Sequence, residues 1–135
     1  MKNVPTPSEI LQQSEEIIST EAISAAIDQW AIAIRKVCTE PNLLVLAVLR
    51  GGMIQATWLT ARMSQALELD CIHVTRYGGG IQGGELQWLY QPRSPLKGRQ
   101  VLVVDDIYDE GYTLQAITQW LSLIHISEPT RPVPI

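Results

Sequence analysis

Apolar residues at Ile23, Ile27, Trp30, Ile34 and Val37 recur at steps of four and three, the spacing that lines up one face of an α-helix. Thr20 is placed to cap that helix and Pro41-Asn42 to end it. The stretch Leu43-Leu44-Val45-Leu46-Ala47-Val48-Leu49 then runs apolar without a break. A strand with one wet face would alternate, so the unbroken run predicts a strand covered on both faces, as at the centre of a parallel sheet. Arg50-Gly51-Gly52 interrupts it, and the pattern turns helical again from Met53 to about Leu67, through Ile54, Trp58, Ala61 and Gln65.

A second strand is predicted from Cys71 to Thr75, ahead of the glycine-rich stretch Gly78-Gly79-Gly80-Ile81-Gln82-Gly83-Gly84, which is expected to be a surface loop. Glu85 to Tyr90 alternates as an exposed strand does, and Pro92 to Gly98 is a turn-rich connection carrying Arg93 and Lys97, with Arg99 just after it. Val101-Leu102-Val103-Val104 is another all-apolar strand that ends abruptly in Asp105-Asp106, with a helix expected from about Thr113. Strands interleaved with helices predict an α/β fold: an open, mostly parallel sheet with flanking helices. Ligands of such sheets sit beyond the carboxyl ends of the strands, where the polar breaks after Leu49 and Val104 fall.

The richest of these breaks is Asp105-Asp106-Ile107-Tyr108-Asp109-Glu110-Gly111-Tyr112-Thr113. Its strand delivers two adjacent carboxylates, a third follows four residues after the first, and a glycine-containing turn enters a helix. Backbone N–H groups from Glu110 to Thr113 can hold a dianionic phosphate at the helix start, and the Thr113 hydroxyl adds a donor. A helix terminus contributes about 0.3–2 kcal/mol toward such an anion, so several donors must act together. Carboxylates beside a phosphate repel it unless they serve hydroxyls or a cation, which points to a sugar and to Mg²⁺.

This segment resembles the phosphoribosyl pyrophosphate motif of type I phosphoribosyltransferases: apolar strand, two acids, two apolar residues, then Asp, a small residue, Gly and Thr. Glu110 departs from the Thr or Ser often found there and leaves the backbone donors in place. Leu49-Arg50-Gly51-Gly52 resembles the pyrophosphate loop of the purine-salvage members, which implies a cis peptide between Leu49 and Arg50. Arg76-Tyr77 with the glycine stretch resembles their closing flap, and with Gly83-Gly84-Glu85-Leu86-Gln87-Trp88 the likeness is to bacterial hypoxanthine-guanine phosphoribosyltransferases. It covers Thr20 to Trp120. The resemblance implies Mg²⁺-assisted transfer of a 5-phosphoribosyl group from phosphoribosyl pyrophosphate to N9 of a 6-oxopurine, releasing pyrophosphate. It further implies that Asp105 and Asp106 engage the ribose hydroxyls or the metal, that Asp109 handles the proton at purine N7, and that Glu110, Gly111, Tyr112 and Thr113 hold the 5'-phosphate. A homo-oligomer of the full-length protein is expected.

Composition narrows the alternatives. In 135 residues, 10 basic against 14 acidic side chains leave a net charge of −4, with no basic stripe. Binding to nucleic acid or to an anionic membrane is therefore not expected, which disfavours a noncatalytic RNA-binding regulator on the same fold. A receiver-type signalling domain is disfavoured because its acid pair ends the first strand. Cys38 and Cys71 are far apart without a CxxC, so they are expected to be buried small hydrophobes rather than a disulfide or zinc site. His73 and His125 receive no catalytic role, and Trp30, Trp58 and Trp120 are expected to anchor helices. No signal peptide is evident, and the cytoplasm is the expected location.

Leu121 to Arg131 resembles the conceptual translation of a transposase-type sequencing adapter, and Pro129, Pro132 and Pro134 rule out a helix there. The expectation is a phosphoribosyltransferase domain over residues 1–120, incomplete at its C-terminal side, and a non-native tail over residues 121–135. Such a chain would lack the base-recognition segment, leave a strand edge unpaired and be of low stability.

Overall fold

The computed structural model describes residues 3–76, 86–108, 111–124 and 133–134. The order is α1 (Pro7–Gln13), α2 (Thr20–Val37), β1 (Leu43–Val48), α3 (Gly52–Thr60), β2 (Leu67–Arg76), β3 (Leu86–Tyr90), β4 (Val101–Val104), α4 (Tyr112–Ile124) and β5 (Val133–Pro134). The strands form one sheet in the order β3-β2-β1-β4-β5. β1 is parallel to both neighbours, Ala47 standing beside Cys71 on one side and Val104 on the other. β5 is parallel to β4, and the edge strand β3 is antiparallel to its neighbour, β2.

The unbroken apolar runs are explained by two cores, one on each face of the sheet. Leu43, Val45 and Ala47 with Leu102 and Val104 point to one face, where Ile27, Ala31, Ile34 and Cys38 from α2 and its C-cap meet Ala56 and Leu59 of α3. Leu44, Leu46 and Val48 with Val101, Val103 and Ile72 point to the other, against Leu114, Ile117 and Leu121 of α4. Alternate side chains of a strand face opposite ways, so both sets must be apolar when helices cover both faces.

The buried stripe of α2 is Ile27, Ala31, Ile34 and Cys38, whereas Ile23, Trp30 and Val37 lie on its exposed margin. The small Ala31 side chain, rather than Trp30, occupies the contact line with the sheet. α3 ends at Thr60, not near Leu67. Arg62 and Met63 donate their N–H groups to the carbonyls of Leu59 and Thr60 in a tightening turn. The Arg62 guanidinium ties that turn to α2 through Asp28 and the Ser24 hydroxyl. Leu67 is thereby freed to pair with Leu43, so β2 starts four residues before the predicted Cys71. Cys38 is buried as expected, but Cys71 is only partly so.

α1 was not predicted. A capping box between Thr6 and Glu9, with Pro in its first turn, starts it, and none of its residues is buried. α4 runs on through Ile124 instead of stopping at Trp120, because Leu121 lies on the same face as Leu114 and Ile117 and is buried with them. The Trp120 ring packs against Trp88 of β3, their centres 4.5 Å apart.

The connection from β3 to β4 is pinned to the start of β2. The Asp70 carboxylate accepts the N–H groups of Arg93 and Ser94 and the Ser94 hydroxyl. Burial pushes this carboxyl upward, but these bonds and the Cys71 N–H outweigh it, and it sits below the usual aspartate value.

Candidate active site

β1 and β4 are neighbours, yet the helices that follow them lie on opposite faces of the sheet, α3 on the α2 side and α4 on the other. Their carboxyl ends therefore flank a topological switch point, where an open α/β sheet leaves a crevice. Leu49-Arg50-Gly51-Gly52 leaves β1 into α3, and Asp105-Asp106 leaves β4 toward α4.

The β1 loop is folded tightly. The Leu49–Arg50 peptide is cis, as the sequence resemblance implied. The Leu49 N–H donates to the Ile72 carbonyl at 2.7 Å, holding the loop to β2, and the Met53 N–H donates to the Arg50 carbonyl at 3.2 Å. Arg50 is exposed.

Both glycines are explained by what lies against them. A Cβ on Gly52 would stand 2.5 Å from the Val104 carbonyl oxygen and 3.2 Å from the Asp105 Cα, so the missing side chain lets the first turn of α3 press against the end of β4. A Cβ on Gly51 would fall inside the space held by the Asp106 carboxylate. The second acid thus rests directly on the glycine loop.

The two acids differ in environment. Asp105 is partly buried and Asp106 exposed, and the Asp106 N–H donates to the Asp105 carboxylate at 2.8 Å. Burial pushes the Asp105 carboxyl up to about 6; the bond from the Asp106 N–H opposes that push, while the side chain and charge of Asp106 add to it. A carboxyl so placed gains most from a neighbouring cation or from hydroxyl donors.

Beyond the acids the chain reaches Gly111, whose φ of 78° is the left-handed conformation that glycine adopts without strain. Its carbonyl accepts the Gln115 N–H at 2.8 Å and opens α4, so Tyr112 and Thr113 occupy the first helical turn. Tyr108, not among the predicted site residues, folds back onto this glycine: a Cβ there would stand 2.8 Å from the Tyr108 hydroxyl oxygen. The only hint in the sequence was a phenol in a slot where an apolar residue was expected.

Among the described residues, then, the fold brings Leu49, Arg50, Gly51, Gly52, Asp105 and Asp106 together, with Gly111, Tyr112 and Thr113 following β4 on the same edge. Arg76 ends β2, which is parallel to β1, so its backbone reaches the same edge. Asp109, Glu110, Tyr77 and the glycine stretch lie outside the described residues. Among the described residues no group of three or more His, Cys, Asp or Glu side chains could hold a metal ion. The adjacent oxygens of Asp105 and Asp106 are hard donors that suit Mg²⁺, an ion that binds through one or two carboxylates and fills its remaining positions with water and substrate oxygens.

The arrangement is that of an α/β domain with its ligand edge at a switch point. The chain belongs to the phosphoribosyl transferase domain family, whose model it matches over residues 13–125. Among curated proteins, it is 39% identical over 74 residues to the bifunctional protein TilS/HprT of Listeria monocytogenes, covering 54% of this chain and 11% of that one. It is 31% identical over 106 residues to the hypoxanthine-guanine phosphoribosyltransferase of Lactococcus lactis, covering 78% of this chain and 58% of that one. The chain thus spans less than two thirds of the length of these relatives. A hypoxanthine phosphoribosyltransferase structure from Staphylococcus aureus superposes with a TM-score of 0.80 at 22% identity, over 94% of this chain and 76% of that one, which is a likeness of fold.

Proposed function

We propose that this chain carries the phosphoribosyl and pyrophosphate half of a cytoplasmic purine-salvage phosphoribosyltransferase, which moves a 5-phosphoribosyl group from phosphoribosyl pyrophosphate to N9 of a 6-oxopurine such as hypoxanthine or guanine. The observation that carries this reading is the apposition of Asp106 and Gly51, which joins the acid pair to the glycine loop across two strands. Family membership supplies the reaction class.

In this reading the first turn of α4, from Gly111 through Tyr112 and Thr113, holds the 5'-phosphate with backbone N–H groups and the Thr113 hydroxyl, and Glu110 adds its N–H. Asp105 and Asp106 accept the ribose hydroxyls, and they are also the residues that would hold Mg²⁺. When bound, the ion neutralises charge on the diphosphate. Leu49, Arg50, Gly51 and Gly52 receive the diphosphate, with the Arg50 guanidinium drawing off negative charge as it leaves. Positive charge develops meanwhile on the ribose, and the carboxylates beneath it stabilise that charge. Asp109 takes or shares the proton at purine N7, a contribution of roughly 10²- to 10⁴-fold for a positioned acid or base. Arg76 and Tyr77 belong to a segment that keeps water from the cationic sugar.

The partners of such a site are phosphoribosyl pyrophosphate and a purine base. The exposed margin of α2, with Ile23, Trp30 and Val37, is read as a self-association surface, which sedimentation of the purified protein would test. The test of the reaction is pyrophosphate release from phosphoribosyl pyrophosphate, with and without hypoxanthine or guanine, on this chain and on the Lactococcus relative in parallel. Asp109→Asn in the relative, at the matching position, is expected to lower turnover at least 100-fold. Unchanged turnover would overturn the proton-transfer role.

A further inference from the structure

Tyr108 sits in the turn that carries the chain from β4 to α4, three residues before Gly111. Its side chain is 66% exposed and belongs to neither apolar cluster, so burial of the ring does not account for where it lies. An exposed phenol free to point anywhere would gain most hydration by extending into water. Instead the ring lies across Gly111, close enough that a Cβ there would stand 2.8 Å from the hydroxyl oxygen and 2.9 Å from the ring carbon bearing it. Gly111 is thus needed twice, for its left-handed φ and for the room it leaves the tyrosine.

The hydroxyl end of the ring therefore stands where α4 begins. The first-turn N–H groups of a helix have no acceptor within the helix, and the dipole favours an anion there. A phenol can donate one hydrogen bond, and donation to an ionised oxygen is the stronger kind.

We propose that Tyr108 is a further ligand of the 5'-phosphate, its phenolic O–H donating to a phosphate oxygen seated on the first turn of α4. The assignment rests on the phosphoribosyl-transfer reading above and adds a residue to that site. It also makes a distinction within the ligand. Tyr108 serves the monophosphate end of the phosphoribosyl group, at α4, whereas the diphosphate end belongs to the β1 loop at Gly51 and Gly52.

The test is calorimetric titration of the full chain and of Tyr108→Phe with ribose 5-phosphate and, separately, with inorganic pyrophosphate, both at fixed Mg²⁺. Removing one hydroxyl leaves the ring in place, and thermal melting of the two proteins is expected to coincide. Affinity for ribose 5-phosphate is expected to fall about five- to tenfold, with pyrophosphate affinity unchanged within about twofold. Unchanged ribose 5-phosphate affinity would overturn the assignment. So would an equal loss for both ligands, which would mean that the ring merely shapes the loop. If the unaltered chain bound neither ligand, the phosphoribosyl-transfer reading itself would fall, a result separate from any effect of the substitution.

Discussion

Gly51 and Asp106 lie 55 positions apart in the sequence, yet the carboxylate of one fills the place where the other would carry a side chain. Gly51→Ala must therefore expel Asp106 from the loop, and pyrophosphate affinity in the presence of Mg²⁺ is expected to drop at least tenfold with little change in melting temperature, since both residues are exposed. Titration calorimetry checks this. Asp105 gives a pH-dependent expectation. Its carboxyl is raised to about 6 from an ordinary 3.8, so the fold favours its protonated form. The stability it contributes is fully present below about pH 3.8 and is lost as pH rises through about 6. Asp105→Asn should consequently raise the melting temperature of the ligand-free protein at pH 7.5 and leave it nearly unchanged at pH 4. A shift of equal size at both values would contradict the assignment of the raised carboxyl to Asp105.

At the scale of elements, the strands were the legible part. β1 and β4 announce themselves because burial on both faces leaves no polar position, and Glu85 to Tyr90 alternates because β3 is an edge strand with one wetter face. Helix limits were less legible, since Met53 to Leu67 keeps a helical pattern whose break depends on Arg62 reaching α2, a tertiary contact. α1 was legible only through Thr6-Pro7-Ser8-Glu9, and without a buried face it had no periodicity to reveal it. Two substitutions test the packing. Gly52→Ala forces a methyl against the Val104 carbonyl and is expected to cost about 1–3 kcal/mol, measured by denaturant unfolding. Leu121→Ala should cost about 2–5 kcal/mol, because α4 continues past Trp120 and buries Leu121. A negligible cost would place the end of the ordered helix earlier.

For the whole molecule, the sheet order puts the two informative loops side by side. Neither loop alone is specific: two glycines after a strand are common, and so is an acidic strand end. Their significance depends on β1 pairing with β4 while their helices take opposite faces, a relation that periodicity does not encode. The resemblance assigned both loops to one ligand, and the pairing of β1 with β4, with Ala47 beside Val104, supplies the physical reason that they meet. Tyr108 was missed because residue type alone made it a filler between the acids. The central claim is that this shared edge is a cradle for a phosphorylated sugar and its diphosphate. It is tested most directly by backbone amide chemical shifts during titration with phosphoribosyl pyrophosphate and Mg²⁺. The largest changes are expected at Arg50 to Gly52, Asp105, Asp106 and Gly111 to Thr113; saturable changes centred elsewhere, with those residues unmoved, would rule the cradle out.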